Sequence, residues 1–68
     1  MITVQDIIDR YGSVRLMADA LGVSKFTVYT WRVKGSIPAD HDLRITARHG
    51  DIDLRALAEL RAAARATA

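Results

Sequence analysis

Apolar residues return at helical spacing along almost the whole chain. Val4, Ile7, Ile8 and Tyr11 share one helical face, Val14, Met17, Ala18 and Leu21 a second, and Val28 and Trp31 a third. Ile37, His41 and Ile45 form a fourth line, and Leu54, Leu57 and Leu60 a fifth. Punctuation falls between them. Thr3 followed by Asp6 makes a near capping box, with Asp in place of the usual Glu or Gln, and helix 1 ends at Gly12. Ser13 caps helix 2, which runs to Leu21; Ser24 caps helix 3, which runs to about Lys34 and stops at Gly35. Pro38 suits the first position of helix 4, with Asp40 and Asp42 near its positive end and Arg48 or His49 before a closing Gly50. Asp51 or Asp53 caps helix 5, about residues 53–66, where leucine and alanine favour helix. There is no strand-like alternation, internal repeat or linker. The pattern predicts an all-α, compact five-helix bundle in a single domain spanning 1–68.

The central stretch Val14 to Val33 is the most specific part of this pattern. Gly22 falls where helix 2 must end and can take positive φ, and Ala18, four residues earlier, lets two crossing helices approach. Val28 and Trp31 then put one face of helix 3 against Val14, Met17, Ala18 and Leu21. This arrangement resembles a helix-turn-helix. The run Ala20-Leu21-Gly22-Val23-Ser24, with Val28, Trp31, Gly35 and Ile37-Pro38, is similar to the small repressor and Cro-like family of phages and bacterial operons, YdaS-like regulators included. The resemblance continues through Asp40-His41, Ile45 and Gly50, and Leu54 to Ala68 is read without it. It implies a lambda-repressor-like DNA-binding fold whose third helix enters the major groove of double-stranded DNA.

On helix 3, Phe26, Tyr29, Thr30 and Val33 lie on a stripe opposite Val28 and face outward if Val28 and Trp31 face the core. The resemblance assigns base readout to this surface: Lys25, Phe26, Tyr29, Thr30 and Val33. Lys25 suits guanine O6 or N7, and Thr30 a thymine methyl or a base acceptor. Phe26 suits thymine methyls or, alternatively, another protein. Backbone contacts fall to Ser13 and Val14 at the start of helix 2, to Arg15 on its first turn, and to Ser24, Arg32, Lys34 and Ser36 around helix 3.

Composition narrows the field. Sixty-eight residues are enough for one core only, and no cysteine is present for a disulfide or a thiolate metal site. The beginning, Met1-Ile2-Thr3-Val4-Gln5-Asp6, shows no targeting pattern, and no apolar run reaches the length of a membrane span, so the expectation is a soluble cytoplasmic protein. Net charge is only +2, but from Ser24 to Lys34 there are Lys25, Arg32 and Lys34 and no acidic residue. Arg44 and Arg48 read as a solvated face of helix 4, and Arg55, Arg61 and Arg65 as ordinary solubilising charges of helix 5. Trp31 reads as core or as a wall between helices 3 and 4. His41 and His49 lack a matching ligand set for zinc, and His41 reads as exposed, with a phosphate contact as the alternative. No nucleophile and base pattern or phosphate loop appears, so no catalysis, cofactor, metal or small-molecule ligand is expected.

One recognition helix reads only a few base pairs, so a homodimer on two half-sites is expected. Leu54 and Leu57 are expected to cover the core, leaving Leu60, Ala63 and Ala64 of the C-terminal helix for a second subunit, with Leu43 as a second candidate. The reading is a homodimeric transcriptional repressor on a short inverted repeat, with autoregulation implied by the resemblance alone. Two alternatives stand beside it. One is a protein-interaction module or antitoxin-type adaptor that docks through Phe26, Tyr29 and Val33; the other is an excisionase-like architectural factor that bends DNA.

Overall fold

The structure, a computed structural model, describes residues 2–67; the two ends of the expected 1–68 span lie outside the described residues. Five α-helices follow in order: α1 (Val4–Tyr11), α2 (Val14–Leu21), α3 (Lys25–Lys34), α4 (Asp42–Arg48) and α5 (Leu54–Thr67), with a 3₁₀ turn over Ala39–His41 leading into α4. No strand occurs among the described residues.

The first three helices begin and end where their caps require. The Thr3 hydroxyl accepts from the Asp6 N–H at 3.1 Å while the Asp6 carboxylate accepts from the Thr3 N–H at 2.8 Å, so Asp completes the capping box despite its short side chain. Ser13 and Ser24 accept from the N–H groups of Leu16 and Thr27. Gly22 sits at φ 71° and ψ 30°, with the Val23 N–H on the Ala18 carbonyl at 3.0 Å and the Gly22 N–H on that of Asp19. This is a Schellman ending, and the left-handed residue in it must avoid a Cβ. Val23, partly buried against the core, supplies the apolar contact that goes with such an ending.

Helices α2 and α3 make the most extensive interhelical contact, and α1 packs across both. Ile7, Met17, Leu21 and Val28 meet there with essentially no exposure, and Ile37, Ile45, Ile52 and Leu57 continue the same core into the second half. Each such side chain contributes about 1.5–3 kcal/mol by leaving water.

Two helix boundaries expected in the second half need correction, and one open choice is resolved. Pro38 precedes a 3₁₀ turn rather than opening α4, because its ψ of 145° is extended; the α-helix starts only at Asp42. Gly50 does not close α4. His49 takes the end position instead, its N–H on the Ile45 carbonyl at 2.8 Å, and Gly50 keeps a φ that any residue can adopt. Asp53, not Asp51, caps α5, its carboxylate accepting from the Ala56 N–H at 2.7 Å, while Asp51 pairs with Arg10.

The largest departure concerns α5 itself. Leu60 is only 5% exposed and belongs to the core, whereas Leu54, expected there, is 46% exposed. Ile52, in the turn before α5, is fully buried in the same core cluster as Leu57 and Leu60. Leu60 is therefore not available to a second subunit. Arg61 is not a solvated charge either. Its guanidinium donates to both carboxylate oxygens of buried Asp42, at 2.9 and 2.7 Å, and to the Ile37 carbonyl at 3.1 Å. The Asp42 hydrogen bond raises the pKa of Arg61 further, with burial opposing, so the guanidinium stays charged.

Candidate nucleic-acid interface

The surface is built around α3. Val28 and Trp31 are buried three residues apart and fix which side of α3 faces inward. The opposite side carries Phe26, Tyr29 and Val33, exposed by 70%, 41% and 85%, with Thr30 also exposed. These four residues share one outward stripe, as the spacing predicts, and Lys25 lies beside its start. The Lys25 ammonium sits 5.7 Å from the Phe26 ring centroid, and the Arg32 guanidinium 5.3 Å from that of Tyr29. Charge and ring thereby lie together at the start of the stripe and at its middle.

The cations here differ from those elsewhere in the molecule. Lys25, Arg32 and Lys34 are exposed, as is Arg15 on the first turn of α2, and among the described residues none of them forms a salt bridge. Arg32 reaches only the neutral Gln5 carbonyl oxygen, at 3.4 Å. By contrast Arg10, Arg55 and Arg61 are paired with Asp51, Glu59 and Asp42. A positive face that no carboxylate neutralises is suited to a polyanion.

The polar candidates are already engaged in part. Ser13 and Ser24 cap α2 and α3, and the Ser24 hydroxyl also shares a hydrogen bond with that of Thr27 at 3.1 Å. Thr30 donates its hydroxyl to the Phe26 carbonyl at 3.0 Å, a back-bond within the helix. Val14 is partly buried against the core, so only its backbone can meet a ligand. Ser36 follows Gly35, its N–H on the Trp31 carbonyl at 3.2 Å.

Arg44 and Arg48, read as a solvated face of helix 4, are exposed, and each also makes a contact within the fold. Arg44 of α4 donates to the Leu21 carbonyl at 2.9 Å, tying α4 to the end of α2 at the turn before α3. Arg48 lies over the Tyr11 ring, 5.6 Å from its centroid. Burial pushes the Tyr11 phenol above its ordinary range, and Arg48 pulls partly against that. His41 is half-buried rather than exposed, its ring 4.9 Å from that of Trp31, which makes Trp31 the expected wall between α3 and the turn into α4. His49 meets Tyr11 edge-on at 4.4 Å. No group of acidic, histidine or cysteine side chains among the described residues could hold a metal. No described helix is long and apolar enough to cross a membrane.

The family model for the bacteriophage CI repressor helix-turn-helix domain matches residues 3–60. The match extends past Gly50, where the motif fades to the eye, and takes in the start of α5 through Leu60. No curated protein and no solved structure gives a significant match.

Proposed function

The chain belongs to the bacteriophage CI repressor helix-turn-helix domain family and is a DNA-binding transcriptional regulator; on that premise we propose that it is a cytoplasmic repressor that binds a short inverted repeat as a homodimer. The observation that carries the proposal is the outer face of α3, where Lys25, Arg32 and Lys34 are exposed around Phe26, Tyr29, Thr30 and Val33 and, among the described residues, form no salt bridge. In this reading Lys25, Phe26, Tyr29, Thr30 and Val33 meet base edges. Ser13, the backbone of Val14, Arg15, Ser24, Arg32, Lys34 and Ser36 meet phosphates and set the register of the helix in the groove. Repression follows by occupancy, with the chain's own promoter as the first operator to try.

Size favours two copies. Successive half-sites lie about 34 Å apart on one face of the duplex, whereas the longest extent of one copy is 29 Å. Leu43, 74% exposed on α4, and Ala63 and Ala64 on the half-buried flank of α5 are the residues we assign to the contact between copies. Sedimentation of Leu43→Asp tests this: a lighter species than wild type is expected, and an unchanged dimer would move the contact elsewhere.

The DNA-binding role is tested by a mobility shift on DNA upstream of the gene at two salt concentrations. Lys25→Ala and Tyr29→Ala are run beside wild type. Retarded wild-type complex at low salt, and loss of preference for one fragment with Lys25→Ala, are expected at about 1–3 kcal/mol per good base contact. No shift at low salt would remove the proposal. The same exposed Phe26 and Val33 favour a second reading, a protein docking stripe. It gains if both substitutions leave DNA binding intact.

A further inference from the structure

We infer that the outer face of α3 reads the C5-methyl groups of pyrimidines in the major groove, with Phe26 and Val33 as the specificity-determining contacts. The inference rests on the DNA-reading role proposed above and narrows its chemistry. It follows from what this face can and cannot bond.

Lys25 to Lys34, the whole of α3, contains no carboxylate and no carboxamide. The strong carboxylate acceptor for cytosine N4 and the bidentate Asn or Gln contact to adenine are therefore both missing from this helix. The hydroxyls are largely committed as well. Thr30 donates to the Phe26 carbonyl, and Ser24 and Thr27 bond to one another at the helix start. With Arg32 and Lys34 assigned to phosphates, what remains toward the bases is the Lys25 ammonium, the Tyr29 phenol, the acceptor lone pairs and methyl of Thr30, and two bare apolar groups, Phe26 at 70% and Val33 at 85% exposure.

The major groove offers only one apolar feature on its base edges, the C5-methyl of thymine. A phenyl ring pressed against amino and carbonyl edges instead would strip water from them and return no hydrogen bond. Phe26 and Val33 lie seven positions apart, two turns along one stripe, so they address separate base pairs of one half-site. Lys25, its ammonium held over the Phe26 ring, is placed to donate to guanine O6 or N7 beside the methyl that Phe26 covers. The ligand is thus a methylated pyrimidine next to a guanine. Thymine and 5-methylcytosine carry that methyl at the same ring position and are its two sources.

The test starts from a duplex recovered by wild-type selection on a random pool at low salt. That duplex is remade with deoxyuridine in place of each thymine in turn, which removes the methyl alone. Wild type is expected to lose about fourfold in affinity per methyl read. Phe26→Ala and Val33→Ala should each lose that penalty at their own position, and Phe26→Leu should keep most of it. Thermal melts check that the variants fold, as exposure of both side chains leads one to expect.

A 5-methylcytosine placed at the sensitive step should bind better than cytosine there if the methyl is read on either base. A gain with thymine only assigns the contact to thymine. Deoxyuridine tolerated within twofold everywhere, or penalties that persist in both alanine variants, would overturn the inference while leaving DNA binding in place; an unaffected Phe26→Ala would then mark the stripe as a protein surface. A folded wild type that recovers no duplex at all would overturn the DNA-reading premise, and the inference with it.

Discussion

Helices α3 and α5 draw on similar materials, apolar side chains and cations at helical spacing, and use them in opposite ways. On α5, Leu57 and Leu60 are buried, Arg61 is clamped to Asp42 and Arg55 lies beside Glu59. On α3, Phe26 and Val33 stand in solvent, and among the described residues Lys25, Arg32 and Lys34 have no carboxylate partner. A cation that finds an internal acid is spent on the fold. One left without a partner on a rigid helix is available to an external polyanion, and α3 is made rigid by contacts on its other side, through Val28, Trp31 and the turn at Gly22.

The comparison can be broken first by truncating the same kind of group on each helix. Leu60→Ala should cost about 2–5 kcal/mol, since it empties a core position. Val33→Ala should stay within about 0.5 kcal/mol of wild type, as exposed positions do. Denaturant titration measures both, and equal losses would mean that α3 is packed against something not seen here.

Charge sharpens the contrast next. Arg61→Met leaves the Asp42 carboxylate and the Ile37 carbonyl without a donor at a mostly buried site, and a loss of about 3 kcal/mol is expected. Adding Asp42→Leu should return part of that loss, because two apolar groups replace an uncompensated charge. Arg32→Met, which breaks a long contact to Gln5 and an exposed contact with the Tyr29 ring, should cost no more than about 1 kcal/mol.

The smallest effect is a pH signature of the interior. Tyr11 is buried, its hydroxyl has no hydrogen-bond partner among the described residues, and its folded pKa is raised above the ordinary value near 10. The neutral phenol is the form the fold favours. The stability tied to it is complete below about pH 10 and is lost as pH rises through the raised folded value. Tyr11→Phe should change stability at neutral pH by no more than about 1 kcal/mol, since it removes an unsatisfied group, and should flatten the alkaline fall in a melt series. A variant that falls as wild type does would place the titration elsewhere.

The two helices also differ in how far they could be read from sequence. Everything that orients α3 is local: Ser24 caps three residues ahead, Gly22 and Gly35 end helices by their own conformations, and Val28 and Trp31 mark the buried side within one turn. The orientation of α5 is not local. Leu60 and not Leu54 completes the core beside Ile52, which is buried ahead of the helix, and periodicity alone cannot say which flank of Leu57 turns inward. Arg61 finds Asp42 across nineteen residues and Arg44 finds the Leu21 carbonyl across twenty-three, pairings with no spacing rule to announce them. His41 was hidden for the same reason, since its place against Trp31 depends on the turn that Pro38 starts. The candidate interface was therefore legible as a set of outward residues, while the parts that brace it were not.

The most direct test is the salt dependence of DNA affinity for wild type and for the triple variant Lys25→Ala, Arg32→Ala, Lys34→Ala. Measured on one operator-length duplex, the slope of log affinity against log salt should become shallower by about 0.9 for each phosphate contact removed. The triple variant should melt close to the wild-type temperature, because among the described residues none of the three cations is tied to a carboxylate and their ring contacts are exposed. An unchanged slope with an intact fold would contradict the claim that this face of α3 meets DNA.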